Sequence, residues 1–315
     1  MNAKREKNNE NIQKSKQIKL LRIISIVFLA VVVLVFSYGR FLPTFSEIGY
    51  RLFGIVPNDF NSDYVRFIDV GQGDAILINS SGATALIDLG GEKDDGEELV
   101  KDLNKYGVYK LDCVIVSHFD SDHIGGDEVL NRIEIRNIIM PETNTEGSTK
   151  TTKSFDEFDL AARKSGANIY VAQVGTKVTI GNFDLTIIAY YPDSDDSNDS
   201  SVMVMAEIDS KKFLLTGDAS KDIEERMLQE GYLLDCDVFK AAHHGSRYSN
   251  SKEFLEATTP TYTVISCSAD NTYGHPHAEV LSNLKSVNSL IYRTDIKGDI
   301  TFYVNFGNIT VKTEK

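Results

Sequence analysis

From residue 61 onward the chain alternates short apolar runs with polar stretches. Runs rich in Val, Ile, Leu and Phe predict strands over 64–70, 75–79, 83–88, 113–117, 135–140, 168–171, 177–180 and 183–190. Further strands are predicted over 202–208, 212–216, 238–241, 262–266, 290–294, 299–305 and 308–312. Helical spacing falls between them, over 96–106, 126–131, 154–165, 220–230, 252–257 and 278–287; in the first of these Leu99, Val100, Leu103 and Tyr106 share a face. Strands interleaved with helices imply layered α/β structure. The stretch 193–201 (DSDDSNDSS) reads as a polar loop.

The N-terminus follows a different pattern. Residues 20–38 form a near-continuous apolar run whose single charge is Arg22. As a helix it is long enough to cross a hydrocarbon core of ~30 Å. Residues 1–22 hold seven basic side chains against two acidic ones, which by the positive-inside rule sets the N-terminus in the cytoplasm. The expected organisation is a basic cytoplasmic tail (1–19), a transmembrane anchor (20–38), a linker (39–60) and a folded body (61–315). That makes a single-pass protein of the cell membrane with its body extracellular. A cleaved signal peptide fits less well, because no small-x-small site follows the run.

Charge and cysteine content narrow the chemistry. The net charge is −13 despite the basic tail, so the body is strongly acidic. Such a body repels polyanions at long range and disfavours non-specific DNA binding through Lys and Arg, although nucleic acid remains open as a substrate. Three cysteines, none in a CxxC pair, exclude a disulfide framework or a cysteine zinc finger.

All six histidines lie in three clusters. The first, Ser117-His118-Phe119-Asp120-Ser121-Asp122-His123, follows an apolar strand and ends in Gly125-Gly126. Two imidazoles and two carboxylates on one tight turn suit divalent metal ions. The second is Lys240-Ala241-Ala242-His243-His244-Gly245-Ser246, where one histidine is expected to ligate metal and the other to meet substrate or to support the ligands. Ser246 and the turn amides offer donors to an anionic oxygen. The third is Tyr273-Gly274-His275-Pro276-His277. Asp218, in Leu215-Thr216-Gly217-Asp218, ends a strand at a glycine turn, where it serves either as a carboxylate bridging two ions or as a helix N-cap. Two early turns, Asp69-Val70-Gly71-Gln72-Gly73-Asp74 and Asp88-Leu89-Gly90-Gly91, add carboxylates and an amide that could support the ligands from behind. Asp88 is expected to orient a ligand histidine, and Gln72 and Asp74 to line the site.

HFDSDH resembles the HxHxDH signature of the metallo-β-lactamase superfamily, with Asp120 where the second histidine usually stands. Together DVGQGD, HFDSDHIGG, NDSSVMVM, LLTGDAS, KAAHHGS and YGHPH resemble the hydrolase domain of ComEC-type competence (DNA-uptake) proteins, over roughly residues 61–315. The resemblance implies an αββα sandwich holding two divalent ions, Zn or Mn. It puts His118 and Asp120 on one ion, Asp122 and His123 on the other, and Asp218 between them; His244 or His243, with His275, completes the set. The superfamily's third-motif histidine is absent, its place falling near Asn198 or Asp199. The implied activity is metal-dependent hydrolysis of a phosphodiester substrate, DNA among the candidates, with Asp122, His243, Lys240 and Ser246 as catalytic candidates. The alternatives are hydrolysis of a small lactam or lactone, or a degenerate competence-type binding component.

Overall fold

The computed structural model describes residues 19, 22, 23, 25–29, 57–91, 96–143, 152–194 and 196–315. The chain divides into two units, 1–45 and 46–315. The expected anchor, 20–38, lies largely outside the described residues, among which no helix is long and apolar enough to cross a membrane.

The body begins with an antiparallel meander, β1 (Tyr64–Phe67), β2 (Ile76–Ser80) and β3 (Ala83–Ile87). Helix α1 (Glu97–Lys105) and the short β4 (Lys110–Leu111) lead into β5 (Cys113–Ile115), which runs parallel to β3. Next come α2 (Ser121–Ile124), α3 (Glu128–Arg132), β6 (Glu134–Ile135), β7 (Asn137–Met140), α4 (Lys153–Lys164) and β8 (Asn168–Val171). The second half repeats the plan. An antiparallel run, β9 (Lys177–Ile180), β10 (Phe183–Ala189), β11 (Met203–Ile208) and β12 (Lys211–Leu215), precedes α5 (Lys221–Gln229) and β13 (Val238–Lys240). Helix α6 (Lys252–Thr258), β14 (Tyr262–Ile265), α7 (Ala278–Ser286), β15 (Leu290–Arg293) and α8 (Thr294–Lys297) follow. The hairpin β16 (Ile300–Asn305) and β17 (Asn308–Thr313) then returns to the first sheet beside β1.

The sheets run β17-β16-β1-β2-β3-β5-β7-β8 and β15-β14-β13-β12-β11-β10-β9. Period-two alternation assigns their side chains to different layers. Val65, Phe67, Ile76, Ile78 and Ile115 meet Val204, Ala206, Phe213 and Val238 between the sheets. The alternate residues Leu77, Leu86, Val114 and Ile138 pack under α1, α3 and α4 through Leu99, Leu103, Val129 and Phe158. Met203, Met205, Leu214 and Phe239 do the same under α5, α6 and α7. Helix, sheet, sheet and helix therefore stack around three apolar seams, the expected αββα order.

One predicted strand divides. Residues 135–140 turn at Arg136, whose N–H donates to Leu111, so Glu134–Ile135 pairs with β4 in a separate two-stranded sheet and only Asn137–Met140 joins β5. An apolar run records burial but not which neighbour takes each hydrogen bond.

Candidate metal centre

Strands β3, β5 and β7 of one sheet, and β12, β13 and β14 of the other, are parallel within their sheets. Parallel strands bring their C-terminal ends to one edge, where the loops gather. There β3 delivers Asp88, β5 delivers Ser117 and His118, β12 delivers Asp218, and β13 delivers His243 and His244. Helix α2 is a single turn that carries Asp122 and His123 back over this edge.

Close backbone packing holds the loops together. The Asp74 N–H donates to the Asp122 carbonyl at 3.1 Å, Leu89 N–H to His123 at 2.8 Å and Gly125 N–H to Gly90 at 3.1 Å. Glycine is required at two of these crossings: a Cβ on Gly73 would lie 2.3 Å from the Asp122 carbonyl oxygen, and one on Gly126 2.0 Å from that of Leu89. The second histidine cluster departs from a strand altogether. His243 and His244 both adopt left-handed backbone, with φ of 51° and 53°, in a turn over 242–245. Asn250 clamps that turn, its side chain accepting the Ala242 N–H and donating to the Ala242 carbonyl, both at 2.9 Å. Asn250 in turn rests on Glu224 of α5, a buried carboxylate that accepts the N–H groups of Asn250 (2.5 Å) and Ser251 (2.8 Å).

The hydrogen bonds fix the tautomers of three buried histidines. His244 Nδ1 lies 3.0 Å from the Ser266 carbonyl, which can only accept, so Nδ1 carries the proton. His123 Nδ1 faces the Asp88 carboxylate at 2.7 Å and likewise donates. Ser117 Oγ donates to Asp88 at 2.7 Å, leaving a lone pair for His118 Nδ1 at 3.0 Å. Each neutral ring therefore turns the bare lone pair of Nε2 inward.

Those three Nε2 atoms, together with Asp218 Oδ1, are buried without a hydrogen-bond partner. His123 Nε2 lies 3.3 Å from Asp218 Oδ1; His244 Nε2 lies 3.4 Å from Asp218 Oδ2 and 3.1 Å from Asp122 Oδ2. Ligand atoms of His118, His123 and Asp218 fall within 4.8 Å of one another, as do those of Asp122, His123 and His244. Buried lone pairs converging without donors are costly unless a cation sits among them, so the residues present fit a divalent metal site.

The electrostatics agree. Burial opposes the charged form of His123, but Asp218 and Asp88 outweigh it and raise its pKa well above the ordinary value. Burial likewise works against the Asp218 carboxylate, yet His244 and His123 hold it well below the usual range. The field that raises the pKa of His123 and His244 is one that would hold a metal cation, while that of His118, buried beside His123, is shifted down. Beneath them Asp74 is fully buried and salt-bridged to Lys240 Nζ at 2.7 Å; burial is again outweighed, here by Lys240, His244 and His123, and the carboxyl stays ionised.

The structure places the remaining sequence candidates unevenly. Asp120 stands at the open edge, 3.9 Å from His118 Nε2 and accepting a hydrogen bond from Ser197 at 2.5 Å. His243 is half-buried with Nε2 3.9 Å from Asp218 Oδ2. His275 lies outside the metal-capable groups and packs on His243 and His244; burial and the neighbouring imidazoles pull its pKa down to about 4. Asn198 and Asp199 each bury an oxygen without a partner, in the loop that Ser197 ties to Asp120. Gln72 accepts the Ser268 N–H at 3.4 Å, joining two rim loops. Asp69 is not brought to the cluster; its carboxylate engages Lys315 and the Gly71 N–H. Lys240 is buried under the site, and the Ser246 hydroxyl accepts the Tyr248 N–H within its own turn. Asp218 does not cap α5, where Ser220 takes the N-cap position. Sequence reading missed Ser117, Asn250, Glu224 and the Ser266 carbonyl. Of these only Ser117, adjacent to His118, carried a local signal.

Residues 68–269 match the model of the Metallo-beta-lactamase superfamily. The chain belongs to this superfamily. It is distantly homologous to ComE operon protein 3 of Bacillus subtilis (strain 168), with 31% identity over 258 residues, 76% of this chain and 32% of that protein. Competence protein ComA of Neisseria gonorrhoeae is 27% identical over 251 residues, 79% of this chain and 33% of that protein. The chain thus spans about a third of the length of these relatives. Among solved structures, CmlA, a diiron β-hydroxylase from Streptomyces venezuelae, superposes with a TM-score of 0.54 at 12% identity, over 78% of this chain and 54% of that one, a likeness of fold.

Proposed function

We propose that this member of the superfamily is a metal-dependent phosphodiesterase with two divalent ions, acting on nucleic acid or another phosphodiester polymer. The observation that carries the reading is the convergence of His118, His123 and His244 on Asp218, one of whose oxygens faces His123 Nε2 and the other His244 Nε2. In this reading Asp122, His123 and His244 would hold one ion and His118 with Asp120 the other, with Asp218 between the two sets. Such ions, when bound, lower the pKa of coordinated water towards ~7 and accept phosphate oxygens. A set of imidazoles and carboxylates without thiolate accommodates Mn as well as Zn.

The chain's own groups divide the remaining work. Asp88, through Ser117 and His123, fixes two imidazoles in the ligating tautomer. Lys240 keeps Asp74 anionic beneath the cluster. His243, half-exposed beside Asp218, is placed to hydrogen-bond a phosphate oxygen as charge develops on it. The competence proteins among the relatives favour nucleic acid over a small acyl substrate. Anchoring through residues 20–38, with the body outside the cell, belongs to the same proposal.

The test is hydrolysis of bis-p-nitrophenyl phosphate and of single-stranded DNA in Mn²⁺ or Zn²⁺, with nitrocefin as the acyl control. Asp122→Ala should lose activity by roughly a hundredfold or more, and nitrocefin should remain intact. Equal rates in the two proteins, or turnover of nitrocefin alone, would overturn the assignment.

A further inference from the structure

Beside the buried ligands, the same edge of the fold presents aromatic rings to solvent. Tyr273 is 65% exposed and Tyr248 is 70% exposed. The Tyr273 ring lies nearly parallel to that of His275, with centroids 5.5 Å apart and 22° between planes. His275 in turn packs on His243 at 5.5 Å, and His243 Nε2 is 3.9 Å from Asp218 Oδ2. Tyr273 is therefore backed by an imidazole while much of its ring faces water, two ring contacts from the metal-ligand cluster.

The turns carrying these rings are fixed to each other. The Arg247 N–H donates to His277 Nδ1 at 3.2 Å, and the His277 N–H to the Gly245 carbonyl at 3.0 Å. Gly245 has φ of 81°, and a Cβ there would lie 2.6 Å from Pro276 Cβ, so the turns touch with no side chain between them. Arg247 is exposed and, among the described residues, pairs with no carboxylate. In a strongly acidic chain, a free guanidinium and two exposed tyrosines flanking a phosphate-directed site form a specific combination. Aromatic faces stack on any nucleobase, and an arginine holds the neighbouring phosphate.

We propose that Tyr273, stacked on His275, and Tyr248 form a platform for the unpaired bases of single-stranded nucleic acid, with Arg247 holding a flanking phosphate. The platform deepens the phosphodiesterase reading and rests on it for the place of the scissile phosphate. Bases already stacked within a duplex are not free to occupy it, so single strands are preferred.

The test is fluorescence anisotropy with the full chain in Ca²⁺, using labelled oligothymidylate, an abasic oligomer of equal length and a blunt duplex. The wild type should bind oligothymidylate roughly tenfold more tightly than the abasic strand. Tyr273→Leu should erase that preference, Tyr273→Phe should restore it, and both should melt like the wild type. Arg247→Ala should weaken both single strands alike. Equal affinity of the wild type for base-bearing and abasic strands, a preference surviving in Tyr273→Leu, or no binding at all overturns the platform. Base-dependent binding without cleavage in Mn²⁺ or Zn²⁺ supports the platform and removes the hydrolase reading alone.

Discussion

An imidazole ligates metal only when its other nitrogen is told where to keep its proton, and here that instruction comes from groups outside the ligand set. Asp88 receives both the Ser117 hydroxyl and His123 Nδ1, so one carboxylate governs two candidate ligands. Asp88→Ala should weaken divalent-metal affinity roughly 10- to 100-fold, read by calorimetric titration, while circular dichroism stays unchanged; unaltered affinity would show that the tautomers are fixed by other means. A second buried carboxyl, Glu224, has its pKa pushed up to about 7 by burial, against the pull of Ser251, Asn250 and Lys221. The folded state therefore holds a proton that the unfolded chain releases near the ordinary value of 4.5. Stability tied to this group is present below that value and falls as pH rises towards 7, by roughly 3 kcal/mol in all. The melting temperature of Glu224→Gln should accordingly change less between pH 5 and 8 than that of the wild type; parallel pH profiles would contradict this. His118, Asp218 and Asp88 were legible in the sequence because each sits at the end of an apolar run, and His123 because it closes the His/Asp cluster that follows one of them. Glu224 and Asn250 were not, since a polar residue on an amphipathic helix or in a Ser-rich turn reads as solvated until a neighbour buries it.

At the scale of elements, the site depends on turns that leave no room for side chains. Gly126 passes so close to the Leu89 carbonyl that Gly126→Ala forces the first and second loops apart, at a cost of about 1–3 kcal/mol. The expected readout is a melting temperature lower by several degrees, with weaker metal binding; a variant matching the wild type in both would show that the loops move independently. The turn bearing His243 and His244 is held left-handed by three side-chain bonds from Asn250, to Ala242 N, Ala242 O and the Ser246 carbonyl. Asn250→Ala should therefore lose metal affinity, and Asn250→Asp should recover part of it, because an aspartate can still accept the Ala242 N–H. Strands and helices were largely readable, since period-two and helical spacing survive into the three apolar seams. The helical turn over 121–124 and the left-handed histidine turn were not, because their shape comes from contacts across the sheet edge. Adjacent histidines on a continuing strand would point to opposite sides; here the left-handed turn brings His244 into the cluster and leaves His243 at its rim.

At the scale of the whole molecule, two similar halves each bring parallel strand ends to one edge, and the candidate ligands come from both sheets. Asp88, His118 and His123 belong to the first sheet and its loops, and Asp218 and His244 to the second. Ions bound between them would join the halves, so the metal is expected to stabilise the fold as well as serve chemistry. Chelation should lower the melting temperature of the wild type, and excess Mn²⁺ or Zn²⁺ should restore it. The most direct test is elemental analysis of the purified full chain after dialysis, beside the same measurement on Asp218→Ala. About two divalent ions per wild-type chain are expected, with a clear loss in the variant; a wild type retaining less than about one ion, or a variant holding as much as the wild type, would rule out a two-ion centre at Asp218.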